Sequence, residues 1–264
     1  MSGRKALVTH SLAAFWRRAG DMERAGYSVG AFLLVSGVAH LAILIIGRYP
    51  WQGPLSLRKA ATFGLSFGLT LITMVWVASF LPLGDRTRRV LLGALTVASV
   101  VETALVSLQA WRGVPSHFNV ETSFDAAVAR TLAAGGVALV AIIVALTVAG
   151  FRANPTVPVS LRVAIQIGFV ALCSSLVVGV VMILKGMRLV FAGAAQAAYA
   201  TGGALKPTHA VTMHAILALP MLAWLLSLTR WSERRRLAIV LLAAGAYVMF
   251  AAGVAIGNVT SSAP

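Results

Sequence analysis

An all-α bundle of seven membrane-crossing helices is the fold this sequence predicts, on three observations. The 264-residue chain is 59% hydrophobic and only 11% charged, and its mean hydropathy of +0.89 lies far from that of water-soluble domains. Seven stretches are apolar and near or above the ~20 residues that a helix rising 1.5 Å per residue needs to cross a bilayer. The connectors between them are short and rich in Gly, Pro, Arg and Ser, and almost nothing is left over for a soluble domain.

In chain order, residues 1–26 form a basic N-terminal segment. Within it Val8, Leu12, Phe15 and Trp16 recur at helical spacing beside Arg17 and Arg18. That pattern fits either an amphipathic helix over 6–19 lying on a membrane surface or a basic tail without structure. The expected spans are 27–47, 59–82, 90–111, 124–149, 160–184, 207–229 and 237–257, which together make one transmembrane domain over 27–257 with a short tail at 258–264. The first span is too long for a signal-peptide core and is expected to be retained. Residues 185–206 form the longest connector, an Ala/Gly-rich stretch that reads as a re-entrant or surface helix. Cys173 is the only cysteine, so no internal disulfide is possible.

The net charge of +15 would point to nucleic acid in a soluble protein. Here its distribution gives orientation instead, and no nucleic-acid partner is expected. With the N-terminus inside, 14 of the 22 Lys and Arg residues fall on the cytoplasmic side and 8 on the other. The positive-inside rule therefore predicts a cytoplasmic N-terminus and an outer C-terminus. The expected location is a bacterial cytoplasmic membrane, crossed several times, with the lipid bilayer as the first partner.

The eight outer charges cluster at helix ends beside other polar residues. In the third span Glu102 and Gln109 lie seven residues apart on one face, with Arg112 next to that face. Ten residues of helix put Glu102 roughly 15 Å deeper than Arg112. A carboxyl at that depth is costly and is expected to face the bundle interior. Ser116, His117, Phe118 and Asn119 follow in a turn that Arg112 would position through Gln109, Glu121 or Asp125.

The sixth span opens with Lys206, Pro207, Thr208 and His209 and carries His214 and Pro220. His209 and His214 are five apart, about 140° around a helix, so they cannot form an i, i+4 metal pair. His40 lies eight residues from Arg48 and His214 eight from Lys206, so both sit roughly 12 Å below the outer surface. Equal depth permits contact between them; hydrogen-bonded packing is the simpler role for either. The second span enters with Arg58 and Lys59, then places Thr62, Ser66, Thr70 and Thr73 with Lys59 in one polar stripe. Such a stripe is either hydroxyl glue between helices or the wall of a hydrated path.

These residues resemble an uncharacterised bacterial family of multi-pass membrane proteins. The resemblance rests on Glu102, Gln109, Arg112, Gly113 and the string Ser116 to Asn119; on Arg58, Lys59, Phe63, Gly64, Leu65 and Ser66; and on His209, Met213, His214, Ala215 and Pro220. It covers residues 58–220 and implies a polar site on the outer side, with no activity attached. The chain departs from the pattern at Gly202 to Lys206, where a more acidic approach is expected, and at Leu217, in place of Gln.

Two function classes follow. In the first, Arg58, Lys59, Arg112 and Lys206 attract a small polar or anionic solute while Glu102 and the histidines handle a proton, giving ligand binding or proton-linked transport. In the second the protein is a haem- or metal-binding membrane enzyme, with His40 and His214 as axial haem ligands or with His117, His209 and His214 on a metal ion. The chain has no paired-carboxylate motif, no His-x-x-x-His and no cysteine cluster, which favours the first class. Glu102 and His214 are expected to share one cavity, reached through Gln109 and His209 and bounded by Thr62 and Ser66.

Overall fold

The computed structural model describes residues 16–17, 19–51, 56–201 and 205–261. From Gly20 onward its described elements are helices α1 (Asp21–Ile46), α2 (Arg58–Ala78), α3 (Asp85–Trp111), α4 (Ser123–Gly150), α5 (Val159–Phe191), α6 (Ala195–Thr201), α7 (Lys206–Ser227) and α8 (Glu233–Ser261). All except the seven-residue α6 are long and apolar enough to cross a membrane. Most of the proposed amphipathic segment 6–19 lies outside the described residues. The first span begins at Asp21, six residues earlier than expected. The last runs on to Ser261 and takes up part of the expected tail. The fifth extends to Phe191, seven residues past its expected end. The rest of the long connector contains α6, and Gly202 to Ala204 lie outside the described residues.

Helix ends follow local chemistry. Gly20 and Gly84 precede α1 and α3 in extended conformation, with Asp21, Glu23 and Asp85 in the first turns, where a carboxylate meets the positive end of the helix dipole. Thr122 caps α4 by accepting the Asp125 N–H at 3.1 Å. The N-terminus of α5 is capped from a distance, since Ser160 N–H donates to Glu233 Oε1 at 2.7 Å, which ties the start of α8 to the start of α5. Pro207 occupies the first turn of α7, where its missing N–H costs nothing. At the interior Pro220 the helix continues without the hydrogen bond to the Ile216 carbonyl.

Lipid offers no hydrophobic drive for helices to associate, so they join by close packing of small residues. Along α1 and α2 this reaches backbone contact. A Cβ added to Gly64 would lie 2.6 Å from Gly37 Cα, and one added to Gly68 would lie 2.7 Å from Gly30 O. The α5–α7 pair uses the same device once, with Gly168 against the Ile216 backbone. These are the two most extensive helix pairings in the bundle.

The apolar core is not spread evenly. It is built from Leu71, Met74 and Val77 late in α2, Leu92 and Leu95 early in α3, Ile143 and Leu146 late in α4, Leu161, Ile165 and Phe169 early in α5, Leu219 and Ala223 late in α7, and Val240 early in α8. All of these lie in the half of the bundle that holds the α2–α3, α4–α5 and α7–α8 turns. There Asn154 Nδ2 donates to Phe80 O at 2.8 Å and joins two of the turns. The other half contains a much smaller cluster, Val106, Val128 and Leu132, and most of the buried polar side chains. Outward faces carry large apolar groups such as Ile46, Leu242 and Met249, the pattern of helices solvated by acyl chains.

The glycine seam gives the first prediction. Gly64→Ala meets backbone atoms that cannot rotate away, and should destabilise the detergent-solubilised protein by about 1–3 kcal/mol, read as a lowered Tm. Gly253→Ala, where the new methyl meets nothing within 4 Å, should leave Tm unchanged or slightly raised.

Candidate functional site

At the polar end, Asp125 is the hub that joins α3 to α4. Its Oδ1 accepts from Gln109 Nε2 at 2.8 Å and from Arg112 Nη1 at 2.5 Å, and its Oδ2 accepts from Thr122 Oγ1 at 2.7 Å. Arg112 Nη1 also donates to Gln109 Oε1, and its guanidinium lies 4.7 Å from the centre of the Phe124 ring. Gln109 and Asp125 are buried. Arg112 is placed by a Schellman turn: Gly113 takes φ +68°, its N–H donates to Ala110 O, and Val114 N–H donates to Gln109 O. Gln109 and Asp125 therefore hold Arg112, while Glu121 is exposed and takes no part. The Arg112 charge is already matched, which removes it from the cations free to hold a solute.

The turn that follows packs inward. Ser116 and Asn119 are buried, and Phe118, held at φ +65°, lays its ring against Gly186 of α5, where a Cβ would overlap it. His117 Nδ1 and Ser116 Oγ are 2.9 Å apart, and the imidazole is centred 5.9 Å from the Phe63 ring of α2. Burial lowers the His117 pKa from the usual 6.5 to about 4, and the nearby ammonium groups of Lys59 and Lys206 lower it further in the same sense. Two helices and one turn thus bring Lys59 of α2, Lys206 of α7 and His117 together, with the Arg58 charge also acting on both lysines. No carboxylate lies within ion-pair distance of Arg58, Lys59 or Lys206 among the described residues; Arg58 rests 5.8 Å from the Trp51 ring instead. Asn119 Nδ2 and Thr208 Oγ1 are buried beside these residues in sequence and have no hydrogen-bond partner.

His40, His209 and His214 each have hydrogen-bond partners of their own. His40 donates from Nδ1 to Ser36 O at 2.8 Å and accepts at Nε2 from Trp111 Nε1 at 3.0 Å, so both ring nitrogens are engaged. His209 turns to α5, its Nδ1 2.8 Å from Ser175 O and 3.0 Å from Ser175 Oγ. His214 Nδ1 donates to Ala210 O of its own helix at 2.6 Å. Among the described residues no three His, Cys, Asp or Glu side chains are grouped to hold a metal ion.

Glu102 is buried as expected, but its carboxyl sits against Gly135 of α4. No hydrogen bond or ion pair links it to His214. Along the α2 stripe Thr73 is buried and donates to Leu69 O, Ser66 and Thr70 are half-buried, Thr62 is exposed and Lys59 is half-buried. Asp125 is one of the three partners the sequence offers for Arg112; Trp111 and Ser175 as histidine partners carry no signal in it, nor does Tyr199 of α6, which is close enough to Glu121 and Asp125 for both to raise its hydroxyl pKa further than burial alone does. A capping signal was present for Asp125, because Thr122 precedes it by three residues at the start of an apolar run.

The chain matches no known family model, no curated protein and no solved structure.

Two outcomes follow from this geometry. Asp125→Ala leaves Gln109 and Arg112 without their acceptor and should lower the Tm, with severalfold faster amide hydrogen exchange over residues 113–122; Glu121→Ala should change neither. In an NMR titration of the imidazoles, His117 should protonate near pH 4. Lys59→Met should move it part-way back toward 6.5, since burial remains. Because the folded chain then binds fewer protons than the unfolded one, stability should fall as pH drops from about 6.5 to 4, and less steeply in Lys59→Met.

Proposed function

We propose that this multi-pass membrane protein binds a small anionic solute at the end of the bundle where α2, α7 and the 113–122 turn meet. The observation that carries the reading is the grouping of Lys59, Lys206 and the neutral His117, with no carboxylate paired to either lysine among the described residues. Like charges brought together in a partly dry site are unfavourable until an anion enters. Asn119 Nδ2 and Thr208 Oγ1 supply unused donors in the same elements, and Phe118 seated on Gly186 makes the turn a cover for the site. Arg112 serves by holding that turn. The exposure gradient from Thr62 to Thr73 supports a path that narrows toward the apolar core, so that binding is the first step of solute movement.

The 14-to-8 division of basic residues supports a cytoplasmic N-terminus, which puts this site on the outer face. The resemblance to a bacterial family supports the cytoplasmic membrane as its location. Reporter fusions after Arg24 and Thr260 should report opposite sides; the same side for both would reverse or cancel the assignment.

Phosphate, sulfate and acetate serve as probes of binding, by calorimetry and thermal shift on the purified full chain. At least one should stabilise the wild type, more weakly as ionic strength rises. Lys59→Met and Lys206→Met should each weaken it by about tenfold, or ~1.4 kcal/mol. Stabilisation that is absent for every probe in the wild type, or undiminished in both variants, would reject the reading.

A further inference from the structure

Seven acidic residues serve the whole chain, and six of them lie in connectors or the first turn of a helix. Glu102 is the exception. It lies nine residues before the end of α3, roughly 14 Å into the bundle, with 4% of its surface exposed. Its carboxyl fills a notch that exists because position 135 of α4 is glycine, as a Cβ there would overlap Oε1. Oε1 is buried and has no hydrogen-bond partner.

Among the described residues no cation forms an ion pair with it. α3 packs on α1, α2 and α4, whose titratable or charged side chains are Asp21, Glu23, Arg24, Tyr27 and His40; Arg58 and Lys59; and Asp125 and Arg130. None forms an ion pair with Glu102, and Arg112 of its own helix is committed to Asp125. An ionised carboxylate with an unbonded oxygen in this setting is strongly unfavourable; a neutral carboxyl with one unbonded carbonyl oxygen costs far less.

We propose that Glu102 is an intramembrane proton-binding site that controls the α3–α4 seam. Protonated, it lodges in the Gly135 notch and the seam is closed. On losing its proton the carboxylate leaves the notch for water, and the helices must part to let it. The same seam continues through Val106, Val128 and Leu132 to the Gln109–Asp125–Arg112 hub, so proton loss loosens the base of the 113–122 turn. This site stands apart from the anion site and does not depend on it.

The test uses N,N′-dicyclohexylcarbodiimide, which reacts with protonated carboxyls in apolar surroundings, on the purified full chain. Peptide mass spectrometry should locate an adduct on Glu102 at neutral pH that declines severalfold as pH rises, and Gly135→Ala should change its yield by crowding the notch. Hydrogen exchange over 113–122 should quicken with pH beyond its intrinsic rate in the wild type but not in E102Q, the neutral isostere. Infrared spectroscopy gives an independent readout, a protonated-carboxyl C=O band absent from E102Q. Absence of both the adduct and the band in folded wild-type protein, or exchange that responds to pH equally in E102Q, would overturn the proposal. Anion affinity is lost through Lys59 and Lys206 variants, so failure of either idea is visible separately.

Discussion

Backbone contact between Gly37 and Gly64 is the constraint from which the rest of the arrangement follows. Inside hydrocarbon no water competes for apolar surface, so helices stay together only where their shapes allow very close approach. Gly30 with Gly68 repeats the contact one to two turns away. With one face of α2 fixed against α1, Lys59, Thr62, Ser66, Thr70 and Thr73 fall on its opposite face. The placement of the polar stripe is thus a consequence of where the glycines are.

The division of the bundle into an apolar and a polar half has the same logic. Packed aliphatic layers from Leu71 to Val77 and from Leu161 to Phe169 supply cohesion at one end. That cohesion allows the other end to carry groups that repel or lack partners, such as Lys59, Lys206, Glu102 and Asn119. Natural sequences tend to break packing rules where they work, and the stability is found elsewhere. Even at the polar end the cost is selective: Arg112, Gln109, Asp125 and Thr122 satisfy one another almost completely, while the lysines do not.

Much of this was legible from residue order. The seven spans follow from length and hydropathy, which depend on local composition. The pairing of Gln109 with Arg112 follows from helical spacing, because positions three apart on a helix are neighbours. Partnerships between helices were not legible. His40 and Trp111 are 71 residues apart, and only the rotation of α1 against α3 decides that the imidazole meets an indole and not His214. Equal depth permits contact between His40 and His214, but depth fixes one coordinate of three. For Glu102 the burial was predictable and the notch was not, since nothing near Gly135 in sequence distinguishes it from Gly136, which faces open space.

The two close helix pairs, α1 with α2 and α5 with α7, touch at the edge-to-face rings of Trp76 and Trp224, centred 6.3 Å apart. Each pair is held internally by close approach at glycine. Lys59 belongs to one pair and Lys206 to the other, so an anion that bridged their ammonium groups would also tie the two pairs together, at the end of the bundle away from those rings.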